Sequence, residues 1–360
     1  MPAIIKQSAP PAETTADIQV FFSAAQASYH QALVKRNEET TFSYNIAGWT
    51  VQLRFAGQAL VPLITPALAH LSSAQLVEPD LVVRLWDSVS TGAAMPAPPW
   101  SLADYRERGE IRGYNTDRYR TFFQVGPGTL NLIDLDQNSA LFWLNDAAQL
   151  PVWECGSPLL RILHPWLQRR GYQLAHAAAV GTAEGGVLLA GRGGSGKSTT
   201  ALACLAAGLK YVSDDYCLLS QADWPYVHSL YNSAKLDRKS VYHFPGIEPI
   251  KLEPERLGSD KALYCLHRQY PDKLLAGFPV RAILLPKVTG GRQTELRPIS
   301  PAASLAALAP STIFQLAGAG EADFRSLSDF TRKVPSYLLE LGTELSQIPA
   351  AVRQAIENGE

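Results

Sequence analysis

The sequence predicts an α/β chain with a phosphate-loop core and an N-terminal α+β unit. Three observations carry the prediction. The run Gly191-Arg192-Gly193-Gly194-Ser195-Gly196-Lys197-Ser198 fits G-x-x-x-x-G-K-[ST]. Apolar Gly186-Val187-Leu188-Leu189-Ala190 precedes it as a strand, and residues 199–205 follow it as a helix. An acidic doublet, Asp214-Asp215, then comes 214 − 197 = 17 residues after Lys197, room for one helix and one strand.

Each part of the loop has a chemical reason. Glycines let the backbone turn its N–H groups toward phosphate oxygens, and the helix N-terminus adds partial positive charge there. The nucleotide-binding candidates are therefore Gly191, Arg192, Gly193, Gly194, Ser195, Gly196, Lys197, Ser198 and Thr199. Lys197 reaches the β- and γ-phosphates of ATP in such a loop, and the Ser198 hydroxyl takes one position on Mg²⁺. Gly208 is the C-cap candidate of the helix, and residues 209–213 form the next strand. A right-handed crossover of this size places its two parallel strands side by side or nearly so. The carboxylates then emerge at the carboxyl end of their strand, where ligands of open α/β sheets bind.

His176 lies in Tyr172-Gln173-Leu174-Ala175-His176-Ala177-Ala178-Ala179-Val180, read as one strand pairing with the strand that enters the loop. Taken alone, an imidazole on an apolar strand is more often a satisfied core residue than a catalyst.

The run from His176 through Asp215 resembles the nucleotide-binding core of the HPr serine kinase/phosphorylase family, whose fold is similar to that of phosphoenolpyruvate carboxykinase. The family's His lies 21 residues before the loop Lys, as here (197 − 176 = 21), and its acidic pair 17 and 18 residues after it. The chain is most similar to the HPr-kinase-like tailoring kinases of bacterial peptide gene clusters, lasso-peptide kinases among them. Residues 332–343 resemble their C-terminal run. The resemblance implies Asp214 as the base, with His176 oriented beside it, and a serine of a peptide or protein as acceptor. Asp215 is expected as the second metal anchor with Ser198, and mutual repulsion within the doublet is expected to raise one carboxyl's pKa. Thr199 stands where the family has Glu, and no downstream Glu-Ile-Arg signature is present.

Elsewhere the periodicity predicts a helix over 12–35, a hairpin of 40–46 and 49–55 around Ala47-Gly48, and a helix over 62–71. Strands follow at 81–86, 119–125, 129–135 and 140–144, taken as an antiparallel unit of residues 1–150 suited to substrate recognition. A helix over 159–170 leads to a kinase unit of residues 151–360. Past the carboxylates come strands at 217–219, 280–287, 294–298 and 337–341, and helices at 304–308, 321–332 and 348–356. Lys235 and Arg325 are candidates for contacting phosphate or substrate, though either could be a solvated surface cation.

Composition narrows the classes. Of 360 residues 46% are apolar and 18% charged, enough for a sizeable core. A net charge of −1 offers no chain-wide attraction to nucleic acid or anionic membrane. Four scattered cysteines without C-x-x-C spacing suggest a reducing compartment and no zinc site. Residues 1–10 carry no leader pattern and no long apolar run spans a membrane, so the expected location is cytoplasmic. Three functions stay open: a peptide or protein kinase, a small-metabolite kinase, and a non-catalytic nucleotide-sensing module. A homo-oligomer is compatible with each.

Overall fold

The computed structural model describes residues 12–75, 77–221, 224–250 and 261–359; the leader reading of residues 1–10 lies outside them. The N-terminal half runs α1 (Ala12–Arg36), β1 (Glu39–Ile46), β2 (Trp49–Ala56), α2 (Val61–Leu68), β3 (Leu81–Asp87), α3 (Ser88–Thr91), β4 (Tyr119–Gln124), β5 (Thr129–Asp134) and β6 (Ser139–Leu144). Ala47 (φ 51°) and Gly48 (φ 92°) make the tight β1–β2 turn, where two positive φ values match strand twist. Strand order is β1-β2-β3-β6-β5-β4. The expected antiparallel unit is instead mixed, because β2–β3 and β3–β6 pair in parallel. The connection from β2 to β3 carries α2 back along the sheet, which brings β3 in with the same direction. Alternation along β6 sends Ala140, Phe142 and Leu144 to one face and Leu141 and Trp143 to the other, under α1.

The C-terminal half continues with α4 (Val152–Gly156), α5 (Leu160–Gln168), β7 (Gln173–Ala175), β8 (Ala178–Gly181), β9 (Gly186–Leu189), α6 (Lys197–Ala206), β10 (Lys210–Ser213), β11 (Cys217–Ser220), β12 (Tyr226–Ser229), β13 (Ser233–Asp237) and β14 (Lys261–Cys265). It ends with β15 (Gly277–Val288), β16 (Glu295–Ile299), α7 (Pro301–Ile313), α8 (Glu321–Arg332), β17 (Ser336–Leu341) and α9 (Ile348–Glu357). The main sheet is ordered β10-β8-β9-β15-β12-β11-β7, with β17 added on β15 and β16 on β17. Helices α6 and α9 cover one face and α7 and α8 the other, a three-layer arrangement. Strands β9 and β10 both pair antiparallel with β8 between them, so the predicted crossover is wider by one strand. Sequence reading missed β12, β13 and β14. The cluster built on Phe55, Phe142 and Trp166 also takes in Leu174, Leu218 and Tyr231, so one core crosses the expected division at residue 150. Among the described residues no helix is long and apolar enough to cross a membrane.

The run 172–180 is two strands, not one. β7 pairs with β11 (Ala175 opposite Cys217) and β8 with β10 (Ala179 opposite Ser213). The pairs that flank the opening share one register, so residues 176–178 face 214–216 across it; beyond Ser213 the β8–β10 pairing shifts by one residue at an irregularity. The Ser213 hydroxyl bridges that opening, donating to the Tyr216 carbonyl at 2.8 Å and the Ala177 carbonyl at 3.4 Å. His176 and both acidic residues sit in the opening.

Close strand packing leaves no room at Gly186: an added Cβ would lie 2.5 Å from the Phe278 ring and 2.6 Å from the Val180 carbonyl. Gly193 meets nothing within 4 Å. Gly186→Val is therefore expected to lose ~3 kcal/mol or more in denaturant unfolding, the upper range for overpacking, while Gly193→Ala stays within ~0.5 kcal/mol. Equal stability of the two variants would contradict the packing described.

Candidate active site

Helix α6 begins directly on the glycine loop. Gly196, its N-cap, has φ 108° and no side chain to cap the helix, which leaves the first N–H groups facing outward for an anion. A Cβ there would also strike the Leu341 side chain at 2.4 Å. At the other end Gly208 (φ 91°) closes α6, with the Leu209 amide donating to the Cys204 carbonyl at 3.0 Å, as its capping role predicts. Lys197 is buried and folds back, its Nζ donating to the carbonyls of Gly191 at 2.6 Å and Arg192 at 3.4 Å. Burial pushes its amine down, opposed by the charges of Asp214 and Asp215.

A cavity of about 980 Å³ is lined by residues 193–199 of the loop and by His176, Asp214, Asp215 and Lys235. The expected residues thus converge, with three exceptions. Gly191 contributes only its carbonyl to Lys197, and Arg192 borders a smaller neighbouring cavity against α7. Arg325 is a correction: it is exposed on α8 and pairs with Glu321 one turn away, so it lines neither cavity. Lys235, by contrast, is no solvated cation. It comes from β13, which sequence reading missed, and its ammonium lies 2.5 Å from Asp215 Oδ2.

Asp215 is the hub of the opening. Its Oδ1 lies 3.2 Å from His176 Nε2, and its Oδ2 also accepts the Ser157 hydroxyl at 2.9 Å. The expectation that His176 stands beside Asp214 is therefore corrected: the imidazole is oriented on Asp215. His176 Nδ1 lies 3.1 Å from the Ser311 carbonyl, and its backbone N–H donates to the Thr312 hydroxyl at 3.0 Å. Burial pushes the Asp215 carboxyl up, but Lys235 and then His176 outweigh it and hold it well below the usual carboxylate range. Asp215 is held by the Lys235 ammonium, the His176 ring and the Ser157 hydroxyl, with both oxygens engaged. Oδ2 takes two of these partners and Oδ1 one, so Oδ1 keeps a lone pair for the role expected of Asp215 as second metal anchor.

Asp214 has the opposite environment. It is 3% exposed; Oδ2 accepts only the Lys235 backbone N–H at 3.0 Å, while Oδ1, near the Ser198 hydroxyl, has no hydrogen bond of ordinary geometry. Its carboxyl is pushed up to about 6, chiefly by burial, with the charge of Asp215 a smaller contribution. Repulsion within the doublet, the expected cause, is thus secondary. Glu154 and Arg161, which sequence reading did not single out, border the same cavity as an ion pair at 2.9 Å. Burial pushes the Glu154 carboxyl up, with Arg161 opposing. Gly156 also went unnoticed: a Cβ there would lie 2.7 Å from Lys235 Cε, so the bare backbone lets the lysine pass to Asp215.

A carboxyl raised in the folded state favours folding while protonated. That advantage is full below its unfolded value of 3.8 and lost as pH rises through about 6. Asp214→Asn cannot ionise, so at pH 8 it is expected to be more stable than the parent by about 1–3 kcal/mol. The gap should close as pH falls from 6 toward 4, read by thermal or urea unfolding. An equally large gap at both ends of that range would contradict the burial of an ionised Asp214.

No protein-family model matches the chain, and no curated protein matches it. A solved structure of the Hpr(Ser) kinase/phosphatase from Coxiella burnetii is similar to it at 15% identity and a TM-score of 0.30. The likeness covers 52% of this chain and 97% of that one. It is a distant, partial likeness, and the chemistry of the cavity is argued from the chain's own residues.

Proposed function

We propose that this chain is an ATP-dependent phosphotransferase that moves the γ-phosphoryl group to a hydroxyl, a serine of a peptide or protein, with Mg²⁺ as cofactor. One observation carries the reading: a loop lysine, a helix N-terminus and two carboxylates of opposite character line one cavity. Phosphoryl transfer needs positioning and charge neutralisation more than covalent chemistry, and these groups supply both.

The donor set fits a hard cation. Ser198, in the first turn of α6, lies beside Asp214 Oδ1, a buried oxygen without an ordinary partner. Among the described residues no group of three or more His, Cys, Asp or Glu side chains could hold a metal. Magnesium in nucleotide sites takes few protein ligands and relies on phosphates and water, so Ser198 would be its main protein ligand. The ion's contribution when bound is to neutralise phosphate charge.

The loop amides and Lys197 hold the phosphates, which requires Lys197 to leave the Gly191 and Arg192 carbonyls. Asp214 accepts the acceptor's proton at its open oxygen; its raised pKa makes it a better base near neutrality than the clamped Asp215. Asp215 holds Lys235 and His176 at the edge of the transfer site, where the lysine's charge would face the phosphoryl group. Four cysteines without a disulfide are consistent with the reducing cytoplasm. Residues 1–150 are proposed to add to substrate recognition, joined by one hydrophobic core to the half that carries the cavity.

Asp214→Asn is expected to keep ATP binding and to slow transfer by ~10²–10⁴, the usual range for a general base. In the parent, kcat/KM should fall about tenfold per pH unit below about 6 and level off above it. Near-normal transfer by the variant, or a flat acid limb, would count against the base assignment. Lys197→Ala should lose tight ATP binding in calorimetry; unchanged affinity would remove the nucleotide reading altogether.

A further inference from the structure

The wall of the cavity around α4 and α5 remains without a role. Glu154 is 2% exposed and borders the cavity; Oε1 accepts from Arg161 at 2.9 Å, but no hydrogen bond of ordinary geometry reaches Oε2, although the Leu159 amide lies near the carboxylate. The buried Nε–H of Arg161 is likewise without an acceptor. Trp153, 40% exposed, and Leu160 line the same wall, and Ser157 connects it to Asp215. Leu159, buried between the two helices, holds φ 60°, a conformation costly for a branched side chain.

A carboxylate oxygen and a guanidinium N–H, both buried, both without an ordinary partner and both in side chains that line the cavity, suggest its ligand. Buried polar groups gain from a partner and cost when left alone, so the wall is complementary to a neutral group presenting an N–H next to a C=O. A carboxylate would meet Glu154, and an ammonium would meet Arg161. The amide of a peptide has the matching pattern, and the exposed Trp153 ring offers it an apolar shelf. The wall also lies next to Asp215 through Ser157, within the cavity that holds Asp214.

We infer that Trp153, Glu154 and Arg161 form the acceptor subsite, which recognises the main-chain amide beside the acceptor hydroxyl of a peptide. The inference rests on the kinase reading and deepens it, naming the main-chain amide as the part of the peptide that the cavity reads. Glu154 and Arg161 are specificity residues, reading the peptide bond instead of a side chain. The serine hydroxyl is thereby presented toward Asp214.

The test uses the full chain with Mg²⁺ and γ-labelled ATP. Acceptors are a pool of nonapeptides with a fixed central serine, the same pool N-methylated at the peptide bonds flanking it, and glycerol. The parent should label the first pool, with kcat/KM at least tenfold lower on the methylated pool and on glycerol. Arg161→Met should raise the apparent KM for the pool about 10- to 100-fold while leaving the Kd for ATP within about twofold. Because that change strands the buried Glu154 and could unfold the chain, Trp153→Ala, at a half-exposed position, is the second variant. It should raise the same KM about tenfold. An unchanged KM in both variants, or glycerol used as well as the peptides, overturns the subsite while leaving the kinase reading in place. ATP binding without transfer to any acceptor overturns both.

Discussion

The site depends on one buried ion cluster: Asp215 held between the Lys235 ammonium and the His176 ring. Its members come from the end of β10, from β13 and from the break between β7 and β8, segments held together by tertiary structure alone. A buried carboxylate stays ionised only if it is paired, and losing one partner of such a cluster costs several kcal/mol. The cluster therefore constrains the backbone as well as the charge. It fits where one antiparallel ladder opens over three residues on each side, and the Ser213 hydroxyl spans that opening. Gly156 is the complementary concession, a missing side chain that admits Lys235.

Two adjacent aspartates acquire different chemistry from this arrangement. Asp215 takes the Lys235 ammonium, the His176 ring and the Ser157 hydroxyl, and its carboxyl is held well below the usual carboxylate range. Asp214 is left with one backbone donor and burial, so its proton affinity rises. A shared charge between neighbours explains little of that difference, since burial is the largest contribution for Asp214. The difference between the two carboxylates follows from which of them the surrounding chain can reach.

Much of this was legible beforehand because local chemistry specified it. The loop glycines, Lys197, Ser198 and the following helix declare themselves in consecutive residues, whereas His176 came into the site only through the resemblance of its spacing to that of the HPr kinase family. Helices α1, α8 and α9 and the β1–β2 hairpin follow from period and turn residues. What was hidden depends on tertiary contact. The break at His176 interrupts an uninterrupted apolar run, so no local signal marks it. Strands β13 and β14 pair only with each other and read as polar loop, which concealed the origin of Lys235. The parallel pairing of β3 is set by the connection from β2, not by the strand's own pattern. Glu154 and Arg161 look like any helix-surface ion pair until the cavity beside them is known, and Arg325 could be dismissed only by its position on α8.

The most direct test of this account is a carboxyl titration of the full chain labelled with ¹³C at aspartate side chains, followed by NMR. One resonance should titrate with a midpoint about 6 and vanish in Asp214→Asn, while another, lost in Asp215→Asn, should stay ionised to the lowest pH at which the chain remains folded. A single shared transition lost in either variant, or no aspartate titrating above about 4.5, would contradict the separate environments on which the chemistry is built.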